Sequence, residues 1–157
     1  EEATWILAEV LDGGVVPALI DWLADPAREA RARAALVGIA CVDFPREPAS
    51  GFRRWFEQRG TLPDTAWFVE ALRSAGYPIT FGAPDLLPGA GLAAGGELVA
   101  LLQGAREWYF RVQAARRLQE LAGRDFGTVT AATPRPTLEA IAEAWQGWLS
   151  AQETAVR

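Results

Sequence analysis

Two stretches of equal length decide the fold of this chain: GGVVPALIDWLADPAREARARAALVGIACVDF at residues 13–44 and GGELVALLQGAREWYFRVQAARRLQELAGRDF at residues 95–126. Offset by 82 positions, they align without a gap and share a Gly-Gly start and an Asp-Phe end. The remaining shared positions are small or apolar: Ala18, Leu19, Ala32, Leu36 and Ala40 of the first stretch. Self-similarity at a fixed offset is the sequence signature of a repeat protein.

Each stretch is typical of a helix of about ten residues, a tight turn and a longer helix. A weaker match at Thr65–Ser74 lies between them and gives a mean period of 41 residues, half of the 82-residue offset. Aromatic helices follow, FRRWF at residues 52–56 and WQGWL at residues 145–149. This period and content are typical of α-solenoids, in which neighbouring helix pairs cover each other's apolar faces.

Two segments resemble HEAT repeats, in particular the HEAT-like repeats of the phycobilin-lyase type. VPALIDWLADP at residues 16–26 is similar to the family's first helix and turn, with Pro17, Asp25 and then the basic Arg31. RVQAARRLQELAG at residues 111–123 is similar to the family's second helix. The resemblance covers residues 3–44 and 97–126, covers 62–76 in part, and does not extend over 77–94.

The resemblance implies an all-α fold, a short α-solenoid of HEAT-like helix pairs with a degenerate middle repeat. The three repeats are expected at about residues 1–60, 61–94 and 95–157 of a single domain. The resemblance also implies that Asp25 and Arg31 form a polar ladder between repeats. Asp25-Pro26 further predicts the start of a helix that reaches about Val42, with Asp25 as its N-cap and Pro17 in the first turn of the preceding helix.

The composition excludes several kinds of chemistry. The chain has 157 residues with no histidine and no methionine, all 15 basic residues are arginine, and Cys41 is the only cysteine. A Ser-His-Asp triad, a His-ligated zinc, a Schiff-base lysine and a P-loop each need a residue type that is absent. Cys41 lies in an apolar run, which predicts a buried inert thiol. We therefore predict no catalytic, cofactor-binding or metal-binding residue, and we interpret Asp43 and Asp125 as loop caps.

The charge balance bears on partners and location. A net charge of −5 argues against binding to nucleic acid or to an acidic membrane face. No apolar run approaches the roughly 20 residues that span a bilayer, and no signal peptide is visible. A single thiol is consistent with a reducing compartment, so a cytoplasmic protein is expected, and the resemblance to HEAT-like repeats implies a bacterial one. Because even an initiator methionine is missing, we expect the chain to be cut from a longer protein.

The aromatic cluster Trp108-Tyr109-Phe110 supplies the candidate binding residues. Consecutive residues of a helix point about 100° apart, so these three rings cannot all face a core. We predict that a partner binds a polar stripe headed by an aromatic, formed by Trp108, Tyr109, Gln113, Arg116 and Glu120. The alternative is a solvated face with an internal Arg116–Glu120 pair worth about 0.2–0.5 kcal/mol.

The sequence thus predicts a non-catalytic scaffold that binds a protein partner through aromatic and arginine side chains, without a cofactor. Three alternatives stay open. HEAT-like repeats also occur in DNA glycosylases and in bilin lyases, so an enzyme of either type is possible by resemblance. The chain could also be the end piece of a self-assembling solenoid, with the helix over residues 1–11 lacking its pair. The oligomeric state is left open.

Overall fold

A computed structural model describes residues 1–156, and all regular structure in this range is helical. The helices are α1 (Glu2–Glu9), α2 (Val16–Trp22), α3 (Glu29–Ala40), α4 (Pro48–Arg59), α5 (Asp64–Ser74), α6 (Gly95–Gly104), α7 (Trp108–Ala122) and α8 (Arg135–Val156). Short 3-10 turns lie at Gly13–Val15 and Ala83–Leu86. The predicted all-α class is confirmed, whereas the solenoid arrangement stays a prediction.

The chain forms two compact units, Glu1–Ala75 and Gly76–Arg157. Their boundary falls inside the predicted middle repeat, residues 61–94. In the N-terminal unit α2 packs on α3 and α4, while α3 also contacts α1 and α5. Side chains with almost no exposed surface form its core: Leu19, Leu36, Ile39, Phe52, Phe68 and Leu72.

In the C-terminal unit α6 packs on both α7 and α8. Its fully buried side chains are Leu86, Leu98, Leu102, Phe110, Leu118 and Trp145. Before α6, the segment 77–94 contains a single 3-10 turn, as the prolines and glycines of that segment predict. The Tyr77 hydroxyl donates to Glu107 Oε2 at 2.5 Å, and the Thr80 backbone N–H donates to Glu97 Oε2 at 2.8 Å. These bonds attach the segment to the start of α7 and to α6.

The longer helices of the two 32-residue stretches end in the same way. Cys41, which follows α3, has φ 57° and ψ 32°, and Gly123, which follows α7, has φ 64° and ψ 28°. Both are left-handed C-caps, and the two residues are 82 positions apart. Leu36 and Leu118, at the same offset, are both buried. The two stretches therefore share a local geometry as well as a residue pattern.

The Asp-Phe ends of the two stretches also have similar surroundings. Phe44 contacts Phe52 edge-on, with ring centroids 5.0 Å apart and planes at 85°. Phe126 contacts Trp145 edge-on, with centroids 4.7 Å apart and planes at 86°. The phenylalanine that follows α3 and the one that follows α7 thus each pack against a buried ring of the next helix.

Gly123→Ala is expected to lower the free energy of unfolding by about 1–2 kcal/mol, because the left-handed backbone conformation is less favourable by that amount for a residue that carries a Cβ. A Cβ at this position would meet no atom within 4 Å, so the backbone alone carries the effect. The matched control is Gly147→Ala in α8, also sterically open, which is expected to stabilise by about 0.5–1 kcal/mol. Urea unfolding followed by circular dichroism measures the change in the free energy of unfolding for each variant. Changes of the same sign in the two variants would contradict a backbone origin of the effect.

The predicted start of the third helix is wrong. It was expected at Asp25-Pro26, whereas α3 begins at Glu29 with Arg28 as its N-cap residue. The Asp25 carboxylate accepts from the Ala27 backbone N–H at 2.9 Å. This local bond forms a turn before the helix, an alternative that aspartate side chains commonly offer.

Candidate functional site

The predicted stripe on α7 is not a single exposed face. Trp108, Tyr109 and Arg116 are half-buried and Glu120 is exposed, but Gln113 is only 1% exposed. The prediction that Gln113 faces solvent is therefore wrong. The buried face of α7 includes Gln113. It consists of Phe110, Gln113, Ala114, Ala115, Arg117 and Leu118.

The charged end of the stripe is paired within α7. Glu120 accepts from Arg116 Nε at 2.9 Å and from Arg117 Nη1 at 3.2 Å, so one carboxylate serves two guanidinium groups. The Tyr109 ring contacts both of its neighbours, with centroids 5.6 Å from Trp108 and 4.8 Å from Phe110. The Arg116–Glu120 pair of the alternative interpretation is thus present. Partner binding by these residues stays a prediction.

The residues of the predicted polar ladder lie beside α1 and α2. Pro17 is exposed in the first turn of α2, as predicted. Asp25 forms an ion pair with Arg28 at 3.4 Å, and Arg31 forms one with Glu9 at 3.2 Å. Each ladder residue therefore has a charged partner inside the N-terminal unit, and a ladder between repeats stays a prediction.

The outer side of α1 carries exposed apolar side chains. Ile6 is 55% exposed, Leu7 40%, and Val10, the C-cap residue, 59%. We call these three residues the α1 face. The opposite side of the same helix buries Ala8, and Leu11 just after it is buried as well. α1 is thus apolar on two sides, and only one of them is covered by the N-terminal unit.

A set of ring contacts and cation–π contacts holds α1 in place. The rings of Trp5 and Trp22 have centroids 4.5 Å apart. The Arg31 guanidinium lies 4.1 Å from the centroid of Trp5, and the Arg28 guanidinium lies 5.0 Å from that of Trp22. Arg28 also pairs with Glu1 at 3.1 Å. Because cation–π contacts and ion pairs act on the same two arginines, the α1 face is fixed relative to α2 and α3.

A groove of about 590 Å³ runs along the edge of the α1 face. Its lining consists of Glu1, Glu2, Trp5, Ile6, Glu9 and Arg31. Its three carboxylates outnumber the two guanidinium groups beside them, those of Arg31 and of Arg28, which pairs with Glu1, so the net charge at the groove is negative. The arrangement offers an apolar ridge beside a negatively charged rim, which suits binding of another chain.

The α1 face was only partly visible in the sequence. The pattern over residues 1–11 predicts an amphipathic helix, and helical spacing alone places Ile6 and Val10 opposite Ala8. The contact of Trp5 with Trp22, two residues distant in sequence, decides which of the two sides packs on the rest of the unit.

Comparison with known proteins yields no family: neither the protein-family models, nor the curated proteins, nor the solved structures contain a match to this chain. Within residues 1–156 no group of three or more His, Cys, Asp or Glu residues is placed to hold a metal ion. None of the helices in that range is long and apolar enough to cross a membrane.

Proposed function

We propose that this chain is a non-catalytic protein-interaction scaffold of HEAT-like repeats, and that it binds its partner through the α1 face. The observation that carries the proposal is the exposure of Ile6, Leu7 and Val10 on one side of a short helix. Contiguous exposed apolar groups with a polar border mark interaction sites on protein surfaces. The glutamates of the groove supply such a border.

The mechanism is preorganisation of a binding ridge. The Trp5–Trp22 contact and the Arg31 guanidinium over Trp5 fix α1 before any partner arrives. A partner then pays little for ordering this side of the interface, and burial of the three apolar side chains favours association. Residues at spacings of three and four along a helix are the usual anchors in this mode of recognition.

The HEAT-like class is part of the proposal and draws on local geometry. Left-handed caps at Cys41 and Gly123, and the edge contacts of Phe44 and Phe126, support two copies of one building block. The stripe of α7, headed by the half-buried Trp108, is the alternative binding surface. The protein is proposed to act in the cytoplasm, without nucleic acid.

The test compares the double variant Ile6→Ser, Val10→Ser with the control Leu62→Ser, Leu87→Ser. Leu62 and Leu87 are 40% and 47% exposed but lie outside the α1 face. A photo-crosslinking amino acid at position 7 identifies the bound protein in the cells that make this chain. Calorimetry with that purified partner is expected to show affinity at least about tenfold weaker for the α1 variant only, because truncated anchors typically cost more than 1 kcal/mol.

Both double variants should retain the helix content and unfolding midpoint of the wild type, because exposed side chains contribute little to stability. Equal affinity of the two variants for the crosslinked partner would refute binding through the α1 face. If the affinity of the crosslinked partner falls instead for the double variant Tyr109→Ala, Arg116→Glu, the binding site lies on α7.

A further inference from the structure

We infer that the partner of the α1 face is an amphipathic helix whose apolar stripe is bordered by arginine or lysine side chains. This inference rests on the proposed function and adds the chemistry of the partner. Three observations support it: the charges around the face, the shape of the ridge, and the repulsion between like charges that a second copy of this chain would create.

The charged side chains that α1 itself places around the α1 face are all acidic, and the cations beside them, Arg28 and Arg31, come from the chain after α2. Glu2 and Glu9 stand four residues before and three residues after Ile6, so all three share one side of the helix. The side chains of Glu1 and Glu9 are 56% and 71% exposed, although Arg28 and Arg31 pair with them. The sequence from Glu2 to Glu9 contains no basic residue. Charge complementarity therefore favours a partner that places cations beside its apolar stripe.

The shape of the site favours a helix over an extended segment. Ile6 and Val10 are one turn apart and form a ridge on a helix about 12 Å long, and the groove lies next to that ridge. A neighbouring helix packs by setting its own side-chain rows between those of α1, beside the Ile6–Val10 ridge. An extended peptide usually gains affinity by adding to the edge of a sheet, and residues 1–156 form no strand.

A second copy of this chain fits the site poorly. In a symmetric antiparallel pair of α1 helices, Glu2 of one copy would approach Glu9 of the other; Arg31 already pairs with Glu9, and α1 itself offers no further cation. Like charges placed opposite each other act against pairing.

The experiment uses three synthetic peptides of about 18 residues, long enough to become helical on contact. They carry the same leucine stripe, bordered by arginine, by glutamine or by glutamate. Calorimetry with the full chain at low and at physiological salt is expected to show the arginine peptide binding at least about tenfold more tightly than the other two. Its advantage should shrink as salt rises, because exposed charges are screened.

Two matched pairs of substitutions locate the effect. Glu2→Gln, Glu9→Gln removes two charges at the groove, and Glu139→Gln, Glu143→Gln removes two from exposed positions of α8. Each pair includes one glutamate that is ion-paired, Glu9 with Arg31 and Glu139 with Arg135. Only the first pair is expected to reduce the preference for the arginine peptide, by about threefold or more. An equal reduction by both would show nonspecific attraction to an acidic protein and overturn the inference.

The remaining outcomes separate this inference from the proposed function. Equal affinity of all three peptides, lost in Ile6→Ser, Val10→Ser, overturns the basic border but leaves the α1 face as a binding site. Binding by none of the peptides overturns the helical partner, while the photo-crosslinking test of the face stands independently. Concentration-dependent dimers in sedimentation that disappear in Ile6→Ser, Val10→Ser identify a second copy as the occupant and also overturn the inference.

Discussion

Trp145→Ala is expected to lower the free energy of unfolding by about 3–5 kcal/mol, a large part of the stability of a small protein. Trp145 has no exposed surface and is among the largest fully buried side chains of residues 1–156. Its ring contacts Phe126 at 4.7 Å and Trp148 at 6.0 Å between centroids. Removing the indole leaves a cavity that these rings cannot fill.

The control for this prediction is Trp145→Phe. The indole Nε1 is buried and, in the part of the chain that is described, makes no hydrogen bond. Phenylalanine keeps an aromatic ring and removes this unsatisfied donor, whose burial costs about 1–3 kcal/mol. We therefore expect Trp145→Phe to cost less than about 1.5 kcal/mol in urea unfolding followed by far-ultraviolet circular dichroism. Equal losses for alanine and phenylalanine would show that ring packing is not the cause.

Gly51→Ala is the second substitution with a large expected effect, a loss of about 1–3 kcal/mol. Alanine normally favours a helix over glycine by about 1 kcal/mol, and Gly51 lies inside α4. A Cβ here, however, would lie 2.6 Å from Phe44 Cβ and 2.4 Å from Phe44 Cγ. A change of rotamer would move Cγ but leaves Cβ in place, so the 2.6 Å contact between the two Cβ atoms persists and the steric cost exceeds the helix preference.

A double-mutant cycle tests the cause directly. With Phe44→Gly in place, which removes both the Cβ and the ring, Gly51→Ala should become neutral or stabilising, so the two substitutions combine with a coupling of at least about 1 kcal/mol. The free energies come from the same urea unfolding measurement on four proteins. Additive effects would place the origin of the loss elsewhere than the Phe44 contact.

Most of the helices could be predicted from the sequence because their ends carry local signals. Gly123 is the residue type that a left-handed C-cap favours, and Pro17 suits the first turn of α2. Cys41 adopts the same cap without any such signal, and only its offset of 82 from Gly123 points to it. The start of α3 was missed because the Asp25 carboxylate bonds within its own turn, a choice that helix propensity does not reveal.

The candidate site was harder to predict than the fold. Gln113 is polar, and polarity alone predicts a position on the surface. The rotation of α7 about its axis is decided instead by Phe110 and Leu118, which lie on its buried side. Consecutive residues of a helix point about 100° apart, so an error of one residue in placing the buried face exchanges solvent-facing positions for buried ones. For α1 the sequence shows apolar residues on two sides, and only the contact of Trp5 with Trp22 decides which side stays open.

The burial of Cys41 has a practical consequence. Its thiol is 3% exposed, and the chain contains neither another cysteine nor any lysine. Maleimide reagents should therefore not react with the wild-type protein under native conditions. Amine-reactive dyes find no side chain to modify. A cysteine introduced at Leu7 would carry a fluorophore or spin label at one defined position, reporting by emission or line shape when the surface around it becomes occupied.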